Sequence, residues 1–172
     1  MRALTHILLP TLLVAALVHI AAVWAVPRIV MHLVLRATAA QASPHHAPLA
    51  TAANRAIPLP SPDLLYSTCT LDLSAGPALV SVTPGPDYLS LAVFNAATDN
   101  VFVANDQTAP GHPIRLLITG PATTPATAPP DITLVHLGST HGLLLLRALA
   151  ATPDLQARNE AARRTLVCET LR

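Results

Sequence analysis

The sequence predicts a mainly β protein: an antiparallel β-sandwich or roll, preceded by one transmembrane helix and closed by a C-terminal amphipathic helix. An uncharged apolar run follows Arg2, short apolar segments separated by turn residues fill the middle, and a helix-start signal stands near the end. Hydrophobic residues make up 52% of the chain and charged residues only 11%, against roughly 25% charged in ordinary soluble domains. A membrane segment accounts for this imbalance.

The N-terminal helix is predicted from residues 3–27, which carry no charged side chain. About 20 helical residues cross a ~30 Å hydrocarbon layer. Trp24 lies near the far end, where indole rings prefer the headgroup level. At mid-span, the His19 imidazole is expected to be neutral and to face a partner helix or water, because the run holds no carboxylate for a proton relay.

A cleaved signal peptide is the alternative for this segment. Residues 23–25 or 40–42 offer small-residue cleavage sites. The apolar run is longer than the usual signal-peptide core of about 7–15 residues, which favours an uncleaved anchor.

Residues 28–37 are predicted to form a short interfacial helix, so that residues 1–37 make up the membrane region. Arg28, His32 and Arg36 recur four apart and therefore share one helical face. Such a basic stripe is expected to face lipid phosphates. Residues 38–62 are rich in Ala and Pro and predict an extended linker. The His45-His46 pair is interpreted as part of a solvated loop, because no Cys or carboxylate accompanies it.

Residues 63–172 are predicted to form the β-rich domain. Strands are expected at 66–73, 78–83, 88–94, 101–104, 114–118 and 132–137, because Gly, Pro, Asn and Asp separate these apolar runs. Several short strands at this spacing favour an antiparallel sandwich over a βαβ sheet. Both faces of residues 88–94 are apolar, which predicts a central strand.

A helix is predicted to close the chain. Thr152 is an N-cap residue, Pro153 occupies the first helical position, and Asp154 lies near the positive end of the dipole. The pattern extends to Arg172, with Glu160 and Arg164 four apart. Residues 143–150 fit a buried strand or a helix, and we favour a strand.

The motif GSTHG at residues 138–142 has the spacing of a nucleophile elbow. Its centre is Thr140, and no βα units surround it, so a hairpin turn is favoured and no catalytic residue is assigned. The ten basic residues are scattered Arg and aromatic residues make up 3%, which argues against nucleic-acid binding.

The most polar stretch lies at residues 93–113. Asp99, Asn100, Asn105 and Asp106 flank one short predicted strand. Asn and Asp hydrogen-bond their own turn backbone, so turn corners are favoured over a polar ligand pocket. The spacing of a calcium loop is absent, and two isolated Cys cannot make a metal site, so neither a metal nor a cofactor is expected.

A family resemblance rests on Tyr66, Cys69 and the motifs LDLSAGP (71–77), YLSL (88–91), DNVF (99–102) and ND (105–106). With these motifs the chain resembles the bacterial family called domain of unknown function 1254, in its small membrane-anchored form. The resemblance implies a β-rich domain behind a single span, often beside a second small anchored protein of the related family 1214. It implies no known activity. The candidate ligand-binding residues are Tyr66, Tyr88, Asp99, Asn100, Asn105 and Asp106.

The favoured hypothesis is a non-catalytic, membrane-tethered β domain that acts through a partner membrane protein in the cell envelope. The alternative is a ligand-binding or hydrolase-like domain that uses the polar residues around Asp99. We expect a single pass through the bacterial inner membrane with the β domain in the periplasm, since a long domain translocates largely regardless of its charge.

Cys69 and Cys168 are the two thiols of the chain. In an oxidising periplasm they are candidates to pair, and a disulfide is favoured over two buried free thiols.

Overall fold

The computed structural model describes residues 2–39, 43–54, 57, 59–122 and 129–171. These residues form two helices and nine strands: α1 (Arg2–Thr38), β1 (His45–His46), β2 (Leu64–Asp72), β3 (Ala78–Val82), β4 (Leu89–Asn95), β5 (Asn100–Asn105), β6 (Ile114–Thr119), β7 (Thr133–His136), β8 (His141–Leu149), α2 (Pro153–Arg163) and β9 (Val167–Thr170). The mainly β class, with an apolar helix at the start and a short helix near the end, is confirmed.

Helix α1 is continuous over 37 residues. Its most apolar stretch has a mean hydropathy of 2.3 and is fully exposed, so the helix is long and apolar enough to cross a membrane. Pro27 lies inside it and causes no break. A proline removes one hydrogen bond, but its fixed φ of about −65° remains helical. The segment predicted as an interfacial helix continuing from the span forms the last turns of α1.

The strands form two sheets that pack as a sandwich. One sheet has the order β1-β2-β8-β4-β5 and the other has the order β7-β6-β3-β9. All pairs in these sheets are antiparallel except β6–β7, which is parallel. The six predicted strands each lie within two residues of their expected ends. Strand β4 lies inside its sheet, between β8 and β5, as its two apolar faces predicted.

The core lies between the sheets. Alternate residues of β2, β4 and β8 point inward and pack against inward-pointing residues of β3 and β6. The buried residues of this core include Leu65, Leu91, Leu144, Leu146, Val80, Val82, Leu116 and Ile118. Each fully buried Leu or Val contributes roughly 1.5–3 kcal/mol relative to an exposed one. Residues 143–150 supply β8, which pairs with β2 and β4, so the choice of a strand there is confirmed.

Gly142 marks a close approach between strands at the start of β8. A Cβ at this position would lie 2.5 Å from the Phe94 carbonyl oxygen and 2.8 Å from Leu137 Cδ2. No larger side chain fits without movement of the backbone.

The closing helix is shorter than its sequence pattern predicted. Thr152 caps α2 by accepting a hydrogen bond from the Leu155 N–H, as expected. The helix ends at Arg163, however, and residues 167–170 form β9 against β3, so the prediction of a helix to Arg172 is wrong. The Thr165 hydroxyl closes the last turn on the Ala162 carbonyl and accepts a bond from the Thr83 N–H, which directs the chain towards the sheet edge.

The GSTHG segment is not a hairpin turn. It connects β7 of one sheet to β8 of the other, with Gly138 at a φ of +73°. The hairpin prediction is wrong because the two flanking strands belong to different sheets. A strand follows the motif where a nucleophile elbow has a helix.

Strand β2 contacts both the linker, through strand pairing, and the C-terminal strand β9, through a disulfide. His45 and His46 form β1 and pair with Thr68 and Ser67. Cys69 and Cys168 form a disulfide between β2 and β9, with Cα atoms 6.5 Å apart. This bond joins one sheet to the other.

Candidate functional site

A cavity of about 830 Å³ lies between the end of α1 and the outer face of the five-stranded sheet. We call it the helix–sheet cleft. Its walls are the end of α1, strand β2, the β4–β5 turn and the β7–β8 connection, which contribute Arg28, His32, Leu35, Arg36, Thr38, Ala39, Ser43, Thr70, Asp72, Asn95, Ala96, Ala97, Gly138, Ser139 and His141.

The helix wall of the cleft is basic. Arg28, His32 and Arg36 all line it, and all three are exposed. The Arg28 guanidinium lies over the Trp24 ring, 4.3 Å from its centroid, and donates to the Trp24 carbonyl oxygen at 2.7 Å. The four-residue spacing read from the sequence therefore places the basic stripe on the side of the helix that faces the sheet domain.

The sheet wall of the cleft is polar because Thr70 and Asp72, which are two residues apart in β2, both lie on its outer face. The Thr70 hydroxyl donates to the Thr38 hydroxyl at 2.7 Å, which attaches the end of α1 to the sheet. Hydrogen bonds from the Ser74 hydroxyl and N–H hold the pKa of Asp72 below its usual range, and His141 lowers it further. Asp72 is therefore ionised at neutral pH, with the His141 ring nitrogen 3.5 Å away.

Ser139, His141 and Asp72 share the cleft but do not form a catalytic triad. The Ser139 hydroxyl donates to the backbone carbonyl of His141 at 2.7 Å and accepts from the Ala96 N–H at 3.1 Å. A nucleophilic hydroxyl must instead donate to the ring of its base. Ser139 thus orders the connection between the sheets.

The four candidate polar residues of the 93–113 stretch do not converge. Asp99 and Asn100 lie at one end of β5 and Asn105 and Asp106 at the other, about 17 Å apart at ~3.3 Å per strand residue. Asp99 accepts a bond from the Asn95 amide at 2.9 Å, and the end of the Asn100 side chain lies 2.7 Å from the Phe102 carbonyl oxygen.

At the other end of β5 the polar side chains also bond to nearby backbone. The Asn105 side-chain oxygen accepts from the N–H groups of Gln107 and Thr108. Asp106 accepts from the Leu89 N–H at 3.2 Å. The Asn105 bonds are those of a turn corner, whereas Asp106 joins the end of β5 to the start of β4. Of this stretch, Asn95, Ala96 and Ala97 line the cleft, and the Asn95 amide donates to Asp99.

Tyr66 and Tyr88 lie on the outer face of the same sheet, outside the cleft lining. The Tyr66 hydroxyl accepts from the Ser61 N–H at 2.8 Å, and the Tyr88 hydroxyl donates to the Ser90 hydroxyl at 2.9 Å. Arg147 lies between Tyr66 and Ser90 in the strand register. Its buried Nε has no hydrogen-bond partner among the described residues.

Metal ligands do not cluster in the described part of the chain: it holds no group of three or more His, Cys, Asp or Glu side chains that could bind an ion. The sheet wall of the cleft was not predicted from the sequence. The alternation of Thr68, Thr70 and Asp72 was the available signal, because a polar period of two marks an outer strand face.

Comparisons with known proteins identify a family but no activity. A family model described as "Protein of unknown function (DUF1254)" matches residues 41–170. No curated protein matches the chain.

Two solved structures resemble the domain. The crystal structure of the VPA0106 protein from Vibrio parahaemolyticus is 17% identical with a TM-score of 0.56, covering 63% of this chain and 28% of that one. An uncharacterised protein from Burkholderia cenocepacia is 20% identical with a TM-score of 0.44, covering 63% of this chain and 32% of that one. The chain thus spans less than a third of either protein. The first similarity shows a shared fold.

Proposed function

The chain belongs to the family of proteins of unknown function DUF1254, and from this premise we propose that it is a membrane-anchored β domain that acts, without catalysis, through a partner membrane protein. We place it in the bacterial inner membrane with a single pass and with the β domain in the periplasm. The partner suggested by the family resemblance is a second small anchored protein of the related family 1214.

The observation that carries this proposal is the bare apolar surface of α1. None of its most apolar stretch is buried against the rest of the protein, whereas the β domain has its own core between the two sheets. The helix therefore adds nothing to that core, and its apolar surface is available to lipid and to a second helix.

His19 supports a partner helix rather than lipid alone. It is exposed in the middle of the apolar run, and Ala15 and Ala22 lie on the same face at four and three residues' distance. A polar side chain facing lipid is costly at mid-membrane. Small residues beside a polar one let another helix approach closely, so that the polar side chain can hydrogen-bond to that helix.

Site-specific photo-crosslinking in the native membrane tests the proposal. A photoreactive residue at position 19 should give a discrete protein adduct, and one at Leu17, about 200° around the helix at ~100° per residue, should not. Mass spectrometry of the adduct identifies the partner. Adducts with lipid alone at both positions, or a self-adduct alone, would contradict a heteromeric partner.

A matched substitution tests the role of His19. His19→Leu should weaken the crosslink from a photoreactive residue at Ala15 because it removes the polar contact. Leu17→Ile on the opposite face serves as the control and should leave that crosslink unchanged. An unaltered yield with His19→Leu would show that the imidazole does not contact the partner.

A further inference from the structure

The helix–sheet cleft lies at the level where α1 would leave the membrane. Arg28 is the first charged residue after the uncharged run 3–27, and Trp24 lies directly beneath its guanidinium. At ~1.5 Å per residue, His32 is about 6 Å and Arg36 about 12 Å beyond Arg28. The headgroup region adds roughly 5–7 Å on each side of a ~30 Å hydrocarbon layer. Arg28 and His32 therefore lie at headgroup depth, with Arg36 just above them.

The cleft presents an excess of positive charge. Its lining holds two Arg side chains, and the carboxylate among the lining residues is that of Asp72. Asp72 accepts two hydrogen bonds from Ser74, and its single negative charge is outnumbered by the two guanidinium groups. The guanidinium groups offer planar N–H donors that match phosphate oxygens.

The cleft is also partly apolar and large enough for a headgroup. Leu35, Ala39, Ala96 and Ala97 line it together with the charged groups. Its volume of about 830 Å³ falls within the roughly 300–1,000 Å³ of small-molecule sites. Apolar and basic walls together suit an amphiphile better than a free inorganic ion.

We propose that the helix–sheet cleft binds the phosphate headgroup of an anionic membrane phospholipid through Arg28, His32 and Arg36. The lipid enters from the membrane side of the cleft, next to Arg28, with its phosphate against the basic stripe and its acyl chains running back into the hydrocarbon layer beside α1. Bound lipid would hold the β domain at a set orientation to the membrane. This inference rests on the proposed membrane anchoring of α1.

Lipid retention by the full-length protein tests the inference. Native mass spectrometry of protein extracted in mild detergent should show retained phosphatidylglycerol after exposure to phosphatidylglycerol and phosphatidylcholine together. The double variant Arg28→Gln/Arg36→Gln should bind phosphatidylglycerol at least roughly tenfold more weakly, because it loses charge-assisted hydrogen bonds to the phosphate.

The matched control is Arg115→Gln/Arg158→Gln. It removes the same charge from exposed residues that lie outside the cleft lining and pair with Asp131 and Asp87. This variant should retain phosphatidylglycerol as the wild type does. Equal loss in both double variants, or no loss in the cleft variant, would overturn the proposal.

Two further measurements separate the alternatives. Inorganic phosphate should not displace the bound lipid, and displacement at concentrations comparable to those of the lipid would show a soluble-anion site instead. Extraction of membranes at high pH tests the anchor separately. Protein that stays in the membrane but retains no phosphatidylglycerol contradicts the cleft proposal alone, whereas protein that leaves the membrane contradicts the anchoring.

Discussion

His46 is a half-buried residue whose ionisation is coupled to folding. Its Nδ1 lies 2.8 Å from the Ser67 hydroxyl, at the edge where the linker joins β2. Burial lowers its pKa, and the nearby Arg163 and Arg164 lower it further, while Glu160 opposes them. The imidazole is therefore neutral in the folded protein at neutral pH.

The charged groups near His46 are themselves paired or hydrogen-bonded. Arg163 is 4% exposed and donates to the carbonyl oxygens of Ala47 and Tyr66, both at 2.8 Å. Burial raises the pKa of Glu160, but hydrogen bonds from Arg164 and Arg163 outweigh it and leave that pKa lowered. A buried cation is tolerated when it is paired and hydrogen-bonded, so Arg163 connects the linker, β2 and α2.

We predict that the domain loses stability as the pH falls below about 6.5, the ordinary pKa of histidine. Below that pH His46 becomes protonated in the unfolded chain but stays neutral in the folded protein, because its pKa is lower there. The free energy of unfolding therefore decreases as the pH falls, until the pH passes the lowered pKa of His46 in the folded protein. Urea denaturation at a series of pH values measures the slope. Asp72 and Glu160 also have lowered pKa values, and their contribution to stability is lost only at more acidic pH.

His46→Gln should flatten this slope because it keeps a polar partner for Ser67 and removes the titrating group. His112→Gln is the control, since His112 is exposed in the loop between β5 and β6. A slope for His46→Gln that equals the wild-type slope would assign the pH dependence to other groups.

Among the elements, β9 depends most on contacts distant in sequence. It pairs with β3, where Cys168 lies opposite Val80, and the disulfide to Cys69 ties it to the other sheet across 99 residues. Three of its four residues are exposed, with Val167 at 43%, and Cys168 is half-buried. The covalent bond and the β3 pairing therefore secure an element with little burial of its own.

We predict that reduction of the disulfide lowers the free energy of unfolding. The chain-entropy model gives about 4–5 kcal/mol for a loop of this length, and measured losses are often smaller. Urea denaturation with and without reductant measures the change.

Cys69→Ala/Cys168→Ala should be destabilised to a similar extent and should not respond to reductant. Mass spectrometry after alkylation provides the direct check. Labelling of both cysteines in the wild type before any reduction would refute the bond.

At the scale of the whole molecule, the end of α1 is packed against the β domain. The Thr38–Thr70 hydrogen bond and the burial of Met31, which is 6% exposed, show that the last turns of the helix contact other parts of the protein. With α1 as the proposed membrane anchor, a domain held this close to the helix would lie near the membrane surface, and its orientation would depend on the contacts around the helix–sheet cleft.

We predict that the β domain lies outside the cytoplasm. Flanking charges are nearly balanced, with Arg2 before the run and Arg28 and Arg36 after it, but a long domain translocates largely regardless of charge. Alkaline phosphatase fused after Arg172 should be active, and a fluorescent protein that matures only in the cytoplasm should be dark in the same position. The reverse pattern would overturn the topology, and fusions at the N-terminus provide the control.

The sequence alone determined the elements that depend on neighbouring residues. The uncharged run predicted α1, alternating apolar residues and turn residues predicted six strands, and Thr152-Pro153-Asp154 predicted the start of α2. The basic stripe of the cleft was also visible, because residues four apart share a helical face whatever the rest of the chain does. Propensity, capping and periodicity act over a few positions, so one segment is enough to detect them.

Only the tertiary structure decided the features that depend on distant residues. Residues 167–170 have a helical pattern, yet they form β9 because an open edge of β3 and a disulfide outweigh local propensity. The parallel β6–β7 pair and the crossing of GSTHG between sheets follow from strand order. The cleft itself unites α1 with Thr70, Asn95 and Ser139. No pattern within one segment records which strand face a helix will meet, because that choice depends on how the whole core packs.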